Sequence, residues 1–235
     1  MLTAAIQREL DFLADPGQAA ILQQFFKTGP GEYGEGDQFR GIRVPVLRKM
    51  ARNHRDLPQA AAEGLLPTAF HEDRLLALLL LIDRYYRGDD AVRGGIHRFY
   101  LAHTGWVNNW DLVDVSAPHL IGHYLQDRPK GLLTRLAASG ILWERRMAII
   151  ATFHFIKQGE LDETFRIAAS LLGDTEDLIH KAAGWMLREA GKRDVTAMET
   201  FLGVHYRRMP RTMLRYAIER LPQARRQAYL KGAVP

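Results

Sequence analysis

Apolar side chains recur at helical spacing through most of the 235-residue chain, and no alternating stretch is long enough to predict a strand. Short breaks rich in glycine, proline or aspartate interrupt the pattern, for example at 88–89, 127–129 and 173–174. The segments between breaks are mostly about 11 to 17 residues long, which predicts about a dozen α-helices of three to four turns. Such helices with tight connections are typical of helical hairpins stacked side by side.

Similar apolar segments recur about every 35 to 40 residues, a spacing that fits two-helix repeats of the HEAT kind. Sequence identity between the segments is weak, so this interpretation depends on helix lengths and loop positions. We therefore predict an all-α fold, an α-α superhelix or solenoid of stacked HEAT-like helical hairpins, formed as a single domain over 1–235. Such a stack curves, and its concave side is a natural groove for an extended partner.

Two stretches depart from the ordinary amphipathic pattern. The run Leu75–Ile82 is apolar on all sides, so it should lie in a helix that neighbours cover on both faces. The run Lys27–Asp37 is rich in glycine and superficially resembles a phosphate-binding loop. It lacks the Gly-Lys-Ser/Thr ending and no strand precedes it, so a connecting loop is the better interpretation.

The composition excludes several kinds of site. The chain has no cysteine, which excludes disulfides, zinc–thiolate sites, iron–sulfur clusters and a cysteine nucleophile. The first residues lack the apolar core of a signal peptide, and no apolar run approaches the roughly 20 residues of a membrane span. We therefore expect a cytoplasmic protein with no membrane partner.

The formal net charge of +5 is distributed unevenly. Residues 181–235 contain twelve Lys or Arg and four Asp or Glu, a balance of +8, which leaves −3 for the other 180 residues. A basic last quarter on a nearly neutral body favours a polyanionic partner. A solvated basic tail accounts for the charge equally well.

One short segment brings an aromatic ring and a carboxylate together. Asn108 can cap a helix with Asp111 in its first turn, and Pro118 would end or kink that helix. Trp110 and Asp114 are four residues apart, so they project from one face. Taken alone, the pattern also fits a tryptophan that packs internally and a carboxylate that is solvated or ion-paired.

A second tryptophan lies on a basic helix face. In the helix predicted for 178–192, Trp185 falls outside the apolar arc and has Lys181 and Arg188 as neighbours at helical spacing. This arrangement suits an aromatic ring that contacts a sugar or base while cations hold phosphates. A partly exposed tryptophan covered by lysine and arginine stems fits equally well.

An arginine lies on the apolar face of another predicted helix. This helix includes Trp143 and continues through Phe153 and Ile156, and Arg146 lies on its apolar side. A guanidinium in such a position needs an anion, either a carboxylate such as Asp114 or a phosphate of a ligand. A structural ion pair is the alternative.

Metal sites have weaker support. His119 and His123 are four residues apart, as metal ligands on a helix can be, but no third ligand is evident. His71 and Glu72 lack the second histidine of a zinc-protease helix. We predict no metal and no cofactor.

Six segments together resemble the DNA alkylation repair glycosylases of the AlkD type, a family of HEAT-like repeat proteins. Their order and spacing are more specific than any single segment, and they extend over most of the chain. The resemblance implies a solenoid whose concave face binds DNA. The segments are KTGPGEYGEGD at 27–37, GIRVPVLR at 41–48, HEDRLLA at 71–77, VNNWDLVD at 107–114, WERRMAII at 143–150 and KAAGWMLRE at 181–189.

The resemblance also implies an activity and the residues that carry it. The family excises positively charged N3- and N7-alkylated purines and leaves the base in the duplex rather than drawing it into a pocket. Its catalytic aspartate falls on Asp114, and its phosphate-contacting arginine falls on Arg146. Its two active-site tryptophans fall on Trp110 and Trp185. Related branches without these residues look like binders of DNA structure, so the match favours the enzyme.

Further basic residues are predicted to contact the DNA backbone. The predicted set beyond Arg146 is Lys181, Arg188, Arg145, Arg211 and Arg215. The last two lie where the resemblance fades, so they are assigned by charge alone. We expect a monomer, associated with the nucleoid, whose partner is double-stranded DNA that contains alkylated purines.

The residue types fit this chemistry. An alkylated purine is already cationic, so it leaves without much help from a general acid. The remaining task is to stabilise the positive charge that develops on the deoxyribose, which a nearby carboxylate and flat aromatic faces can do. The hypothesis predicts that Trp110, Asp114, Arg146 and Trp185 converge in one concave basic cleft.

Two other functions stay open. A non-enzymatic binder of damaged or branched DNA would use the same basic face without needing Asp114. A helical-repeat adaptor for proteins would have an apolar concave stripe, and its DNA affinity would change little with salt.

Overall fold

The computed structural model describes residues 2–234, which form an all-α protein as the sequence predicts. This part of the chain contains fifteen α-helices, and its only strand-like pairing is an isolated parallel bridge between Gln38 and Phe70. No helix in it is long and apolar enough to cross a bilayer. The helices are α1 (Leu2–Phe12), α2 (Pro16–Phe25), α3 (Val44–Asn53), α4 (Gln59–Glu63), α5 (His71–Arg87), α6 (Asp90–Ala102), α7 (Trp110–Ala117), α8 (Gly131–Ala137), α9 (Leu142–Ala151), α10 (Phe153–Gln158), α11 (Asp162–Ser170), α12 (Asp177–Arg193), α13 (Val195–His205), α14 (Arg211–Ala217) and α15 (Gln223–Leu230).

The helices group into two compact units. The amino-terminal unit ends at Ser116, and the carboxy-terminal unit begins at Ala117. Each unit has its own buried apolar core. The single domain over 1–235 and the concave groove stay predictions.

Helix α5 is the centre of the amino-terminal unit. It packs against α3, α4 and α6, and every residue of Leu75–Leu81 is buried. The prediction of a helix covered on both faces is therefore confirmed for all but its last residue, because Ile82 is half-buried. Each buried leucine contributes about 2 kcal/mol through the hydrophobic effect, so α5 provides a firm base for the side chains of its first turn.

Helix α12 has the same place in the carboxy-terminal unit. It packs against α9, α10, α11, α13 and α14. Ile179, Ala183 and Met186 are buried, as the apolar arc of the sequence predicts. Gly184 lets α14 approach closely, because a Cβ at this position would lie 2.5 Å from the carbonyl oxygen of Met213.

Two expectations about helix length are wrong. Several helices have only five to eight residues, so the described helices are shorter and more numerous than the spacing predicts. The helix expected to run from Trp143 through Ile156 is two helices, α9 and α10, separated at Thr152. The amide and the hydroxyl of Thr152 both donate to the Ile149 carbonyl, at 3.2 Å and 2.6 Å, and this tighter turn ends the first helix.

The glycine-rich run 27–37 connects α2 to α3, as predicted. Two of its amides are occupied from within the run. Gly29 donates to the Glu32 carboxylate and Gly31 donates to the Glu35 carboxylate, each at 2.9 Å. These amides therefore hold the turn together rather than presenting a phosphate site.

Candidate functional site

The amino-terminal candidate site is built on helix α7. Asn109 precedes the helix, and its side-chain oxygen accepts a hydrogen bond from the Trp110 amide at 2.8 Å. The backbone carbonyl of Asn109 accepts the first hydrogen bond of the helix, from the Val113 amide at 3.1 Å, so Asn109 and not the predicted Asn108 occupies the cap position. Asp111 lies in the first turn, and the helix ends immediately before Pro118, where the chain enters a π-helical turn, as the proline predicts.

Trp110 is half-buried in a cluster of aromatic rings. Its ring stacks on Phe26, with centroids 5.4 Å apart and planes at 18°, and meets Phe25 edge-on at 6.0 Å. Phe26 in turn stacks on Phe39 at 5.1 Å. Phe25 is 59% exposed. The indole is therefore held by its neighbours while part of it remains accessible to a ligand.

Asp114 is half-buried, one helical turn beyond Trp110. Its charge acts on the buried hydroxyl of Tyr100, which shares a hydrogen bond of 2.8 Å with Ser116. Burial raises the pKa of Tyr100, the hydrogen bond to Ser116 opposes the rise, and the Asp114 charge adds to it. The phenol therefore stays neutral near the carboxylate at physiological pH.

A buried histidine connects α7 to the glycine-rich run. The imidazole of His71 bonds to Asp37 through Nδ1 at 3.0 Å and to Asp111 through Nε2 at 2.8 Å. Asp37 also accepts from Arg74 at 2.6 Å and from Asn108 at 3.3 Å, which explains why Asn108 does not cap the helix. Burial lowers the pKa of His71, but the two carboxylates outweigh burial and raise it to about 9. Burial raises the pKa of Asp37, but His71 and Arg74 outweigh it and hold that pKa below its usual range.

The rest of the first turn of α5 binds the chain that follows the glycine-rich run. The Glu72 carboxylate is buried and accepts from the amides of Arg40, Gly41 and Ile42 at 2.9, 2.8 and 3.1 Å. The Asp73 carboxylate accepts two hydrogen bonds from the Arg40 guanidinium, at 2.6 and 3.1 Å. Each buried carboxylate thus has donors, which is the condition for burying it.

Sequence reasoning missed three residues around α7, namely Phe25, Phe26 and His71. The signal for His71 was its position in one of the resembling segments, with Asp37 and Asp111 in two others. Charged residues that fold into a core must find partners, so this histidine is better interpreted as an ion-pair residue than as a metal ligand. Within residues 2–234, no group of three His, Cys, Asp or Glu could hold a metal ion.

In the carboxy-terminal unit, Arg146 is buried on α9. Its guanidinium donates to the carbonyl of Leu178, in the first turn of α12, at 2.7 Å. The buried position agrees with the apolar face that the sequence predicts. Its contact with a phosphate stays a prediction.

Trp185 is half-buried on α12. Its indole N–H donates to the Glu189 carboxylate at 3.1 Å, and Lys192 also donates to that carboxylate, at 2.7 Å. The ring lies 5.8 Å from that of Phe153, which has Lys157 Nζ 4.4 Å from its centroid. The tryptophan thus lies among charged side chains, as its position on the helix predicts, and its contact with a sugar or base stays a prediction.

Arg145 and Arg188, both predicted to bind DNA, pair with carboxylates within the protein. Arg145 donates to Asp174 at 2.6 Å and to the Ser139 carbonyl at 3.1 Å. Arg188 is ion-paired with Glu219. These contacts favour a structural role for Arg145, because its carboxylate partner is almost fully buried.

The other predicted DNA-binding residues are more accessible. Lys181 pairs with Asp177 at 2.8 Å, although the lysine side chain is 43% exposed. Arg211 donates to the Leu230 carbonyl at 2.9 Å, and Arg215 is exposed. All of the predicted cations in this unit come from α9, α12 and α14, and α12 packs against both of the others.

Comparisons with known proteins agree with this description. A family model described as DNA alkylation repair enzyme matches residues 6–221. A solved structure, described as a predicted DNA alkylation repair enzyme from Enterococcus faecalis, matches with a TM-score of 0.69 over 89% of this chain and 97% of that chain, at 18% sequence identity. At that identity the likeness shows the fold alone. A comparison with curated protein sequences finds no match.

Proposed function

We propose that this protein, which belongs to the family of DNA alkylation repair enzymes, is a DNA glycosylase for cationic N3- and N7-alkylated purines. The reaction is hydrolysis of the N-glycosidic bond in duplex DNA, the first step of base excision repair. We further propose that the protein acts as a monomer on the DNA of the cytoplasm or nucleoid. Membership of the family makes DNA its partner.

The observation that supports this proposal most is the presentation of Trp110 and Asp114 by one short helix. The two side chains are one turn apart on α7, and both are half-buried rather than fully buried. The aromatic cluster holds the indole while leaving part of it accessible. A carboxylate and an aromatic face in fixed register suit a substrate that develops positive charge at one carbon atom.

The proposed chemistry follows from the charge of the lesion. The bond between C1′ and N9 of the alkylated purine breaks, and its electron pair neutralises the cationic base, which leaves. The deoxyribose develops oxocarbenium character, which the Asp114 carboxylate stabilises electrostatically while the indole of Trp110 presents its negative face. Water then adds to C1′ and gives up a proton, for which Asp114 is the proposed acceptor. The product is an abasic site.

The carboxy-terminal unit is proposed to hold the DNA. Trp185 would contact the deoxyribose or a neighbouring base, and Arg146 would contact a phosphate, as the resemblance implies. The accessible cations Lys181 and Arg215 would add phosphate contacts that do not depend on base sequence.

The proposal is tested by release of free base from a duplex with a single N7-methylguanine, under single-turnover conditions. We expect Asp114→Asn to lower the rate by about 100-fold or more while duplex binding survives, since loss of a preorganised transition-state contact costs this much. The matched control is Asp56→Asn, which removes an exposed carboxylate of the same unit. That control should release base at the wild-type rate.

Two results would overturn the proposal. Tight binding of damaged duplex without release by any of the proteins would favour a non-enzymatic binder of damaged or branched DNA. Release that Asp114→Asn leaves unchanged would remove the carboxylate from the chemical step.

A further inference from the structure

We infer that His71 is a positioning residue for the proposed excision, because it clamps the first turn of α7 and so fixes the orientation of Trp110 and Asp114. The inference rests on the proposed function. His71 itself lies at the first turn of α5, the most firmly buried helix of its unit. Its side chain is almost completely buried, so it acts through its neighbours rather than on the substrate.

The first link is polar. His71 Nε2 lies 2.8 Å from one carboxylate oxygen of Asp111, the residue that directly follows Trp110. In the part of the chain that the structure describes, the other oxygen of Asp111 is buried without a hydrogen-bond partner. The histidine is therefore the principal restraint on this carboxylate, and the restraint acts on the backbone of the first turn.

The second link is aromatic. The imidazole stacks on Phe39, with centroids 4.6 Å apart and planes at 20°, and lies tilted 4.8 Å from Phe26. Phe26 is the ring on which Trp110 stacks. The same histidine therefore supports Trp110 from two directions, through Asp111 on its own helix and through the ring beneath it.

The third link explains why a protonated histidine is required. The charged groups around His71 are Asp37 from the glycine-rich run, Asp111 from α7, and Glu72 and Arg74 from its own helix. An imidazolium donates from both ring nitrogens, so it satisfies Asp37 and Asp111 together. A neutral imidazole has one N–H and can donate to only one of them. The pKa of about 9 keeps both bonds at physiological pH.

The consequence for the reaction follows from the size of α7. The helix has eight residues, and its first turn carries both Trp110 and Asp111. Asp114 lies one turn further along, and a tilt of the helix moves its carboxylate relative to the sugar. A misplacement of about 1 Å can cost about 100-fold in rate.

The experiment uses two variants and a matched control in the full-length chain. His71→Gln and Asp111→Asn each remove one partner of the clamp, and the double variant removes both charges. The control is His97→Gln, which replaces another buried histidine of the same unit, on α6. Base release and duplex binding are measured as for Asp114, and the indole resonance of Trp110 is followed by NMR and assigned with Trp110→Phe.

We expect each clamp variant to lower the single-turnover rate about tenfold or more, with the Kd for the damaged duplex changed less than about twofold. The double variant should lose less than the product of the two single effects, because both act on one contact. The Trp110 resonance of the wild type should shift with a midpoint near pH 9, and this shift should be missing in His71→Gln.

Three results would overturn the inference. The first is full activity of folded His71→Gln and Asp111→Asn, and the second is an equal loss in His97→Gln. The third is a Trp110 resonance that does not respond to pH or to either clamp variant. If the wild type releases no base but the resonance still titrates in a His71-dependent way, the proposed function has failed while the link from His71 to Trp110 is supported.

Discussion

The two tryptophans predicted to act on the substrate are held in different ways. Trp110 is fixed by Phe26 and Phe25, which lie more than 80 residues earlier in the chain. Trp185 is fixed by a hydrogen bond to Glu189, one turn further along its own helix. The aromatic contacts of Trp110 depend on tertiary folding, whereas the hydrogen bond of Trp185 lies within α12.

The position of each tryptophan therefore depends on different surroundings. Around Trp110, apolar rings and buried ion pairs replace water, so the ring cannot keep its position if the surrounding segments move. Around Trp185, the polar contacts remain partly solvated, so the ring can adjust without loss of the core. We therefore expect the amino-terminal site to be the more easily broken of the two.

Removal of the two tryptophan rings should have the largest effect, and the quantity that changes is the free energy of unfolding. Trp110→Ala should lower the free energy of unfolding by about 3 kcal/mol, because it leaves a cavity beside Phe26 and Phe25. Trp185→Ala should cost about 1 kcal/mol, because its ring, half-buried like that of Trp110, has fewer aromatic neighbours. Urea unfolding of both variants measures the difference. Equal losses would mean that the two rings contribute equally to stability and would contradict the expected difference.

Local contacts and tertiary contacts also differ in how well the sequence predicts them. The all-α fold, the buried run in α5 and the position of Trp185 outside the apolar arc of α12 follow from helical periodicity, which reports local structure. The break at Thr152 escaped prediction because a side-chain hydrogen bond, not an apolar pattern, ends the helix. The cap at Asn109 escaped because neighbouring Asn108 has an equal propensity, and its engagement by Asp37 decides between them.

The candidate residues could be predicted by type and position, but the side chains that hold them in place could not. Trp110 and Asp114 follow from their spacing and from the resemblance. The roles of Phe26 and His71 depend on contacts between segments separated by many residues, which periodicity does not report. Arg145 shows the same limit, because its charge predicts a DNA contact while the structure pairs it with the buried carboxylate of Asp174.

A smaller effect should appear in the pH dependence of stability, because buried His71 in one unit and half-buried His154 in the other have pKa values shifted in opposite directions. The pKa of His71 is raised to about 9, so its contribution to stability is present below pH 6.5 and is lost as the pH rises to about 9. Burial, followed by the charges of His123 and His119, lowers the pKa of His154 to about 4. Its unfolded form therefore binds a proton first, and stability falls as the pH drops from 6.5 towards 4.

This pair of effects is checked by urea unfolding between pH 4 and pH 10. His71→Gln should remove the alkaline loss of stability, and His154→Gln should remove part of the acid loss. An alkaline loss that persists in His71→Gln would place its origin in another group. Equal pH profiles for the two variants would contradict the opposite assignments.

The smallest expected effect distinguishes the arginines of the carboxy-terminal unit. Arg215→Ala should weaken duplex binding by about threefold and lower the slope of log K against log salt by about one, as loss of one phosphate contact does. Arg145→Ala should instead lower stability, because it leaves the buried Asp174 carboxylate without its partner. Binding titrations at several salt concentrations test both variants. A reduced salt slope for Arg145→Ala would instead support its predicted contact with DNA.

In the proposed reaction the protein supplies a carboxylate and the lesion supplies the positive charge. The most direct test compares single-turnover release of N7-methylguanine and of neutral hypoxanthine from the same position in one duplex. We expect release of the cationic base to be at least about 100-fold faster, because a neutral purine needs a general acid for its departure. Comparable release of the two bases, or release of neither, would contradict it.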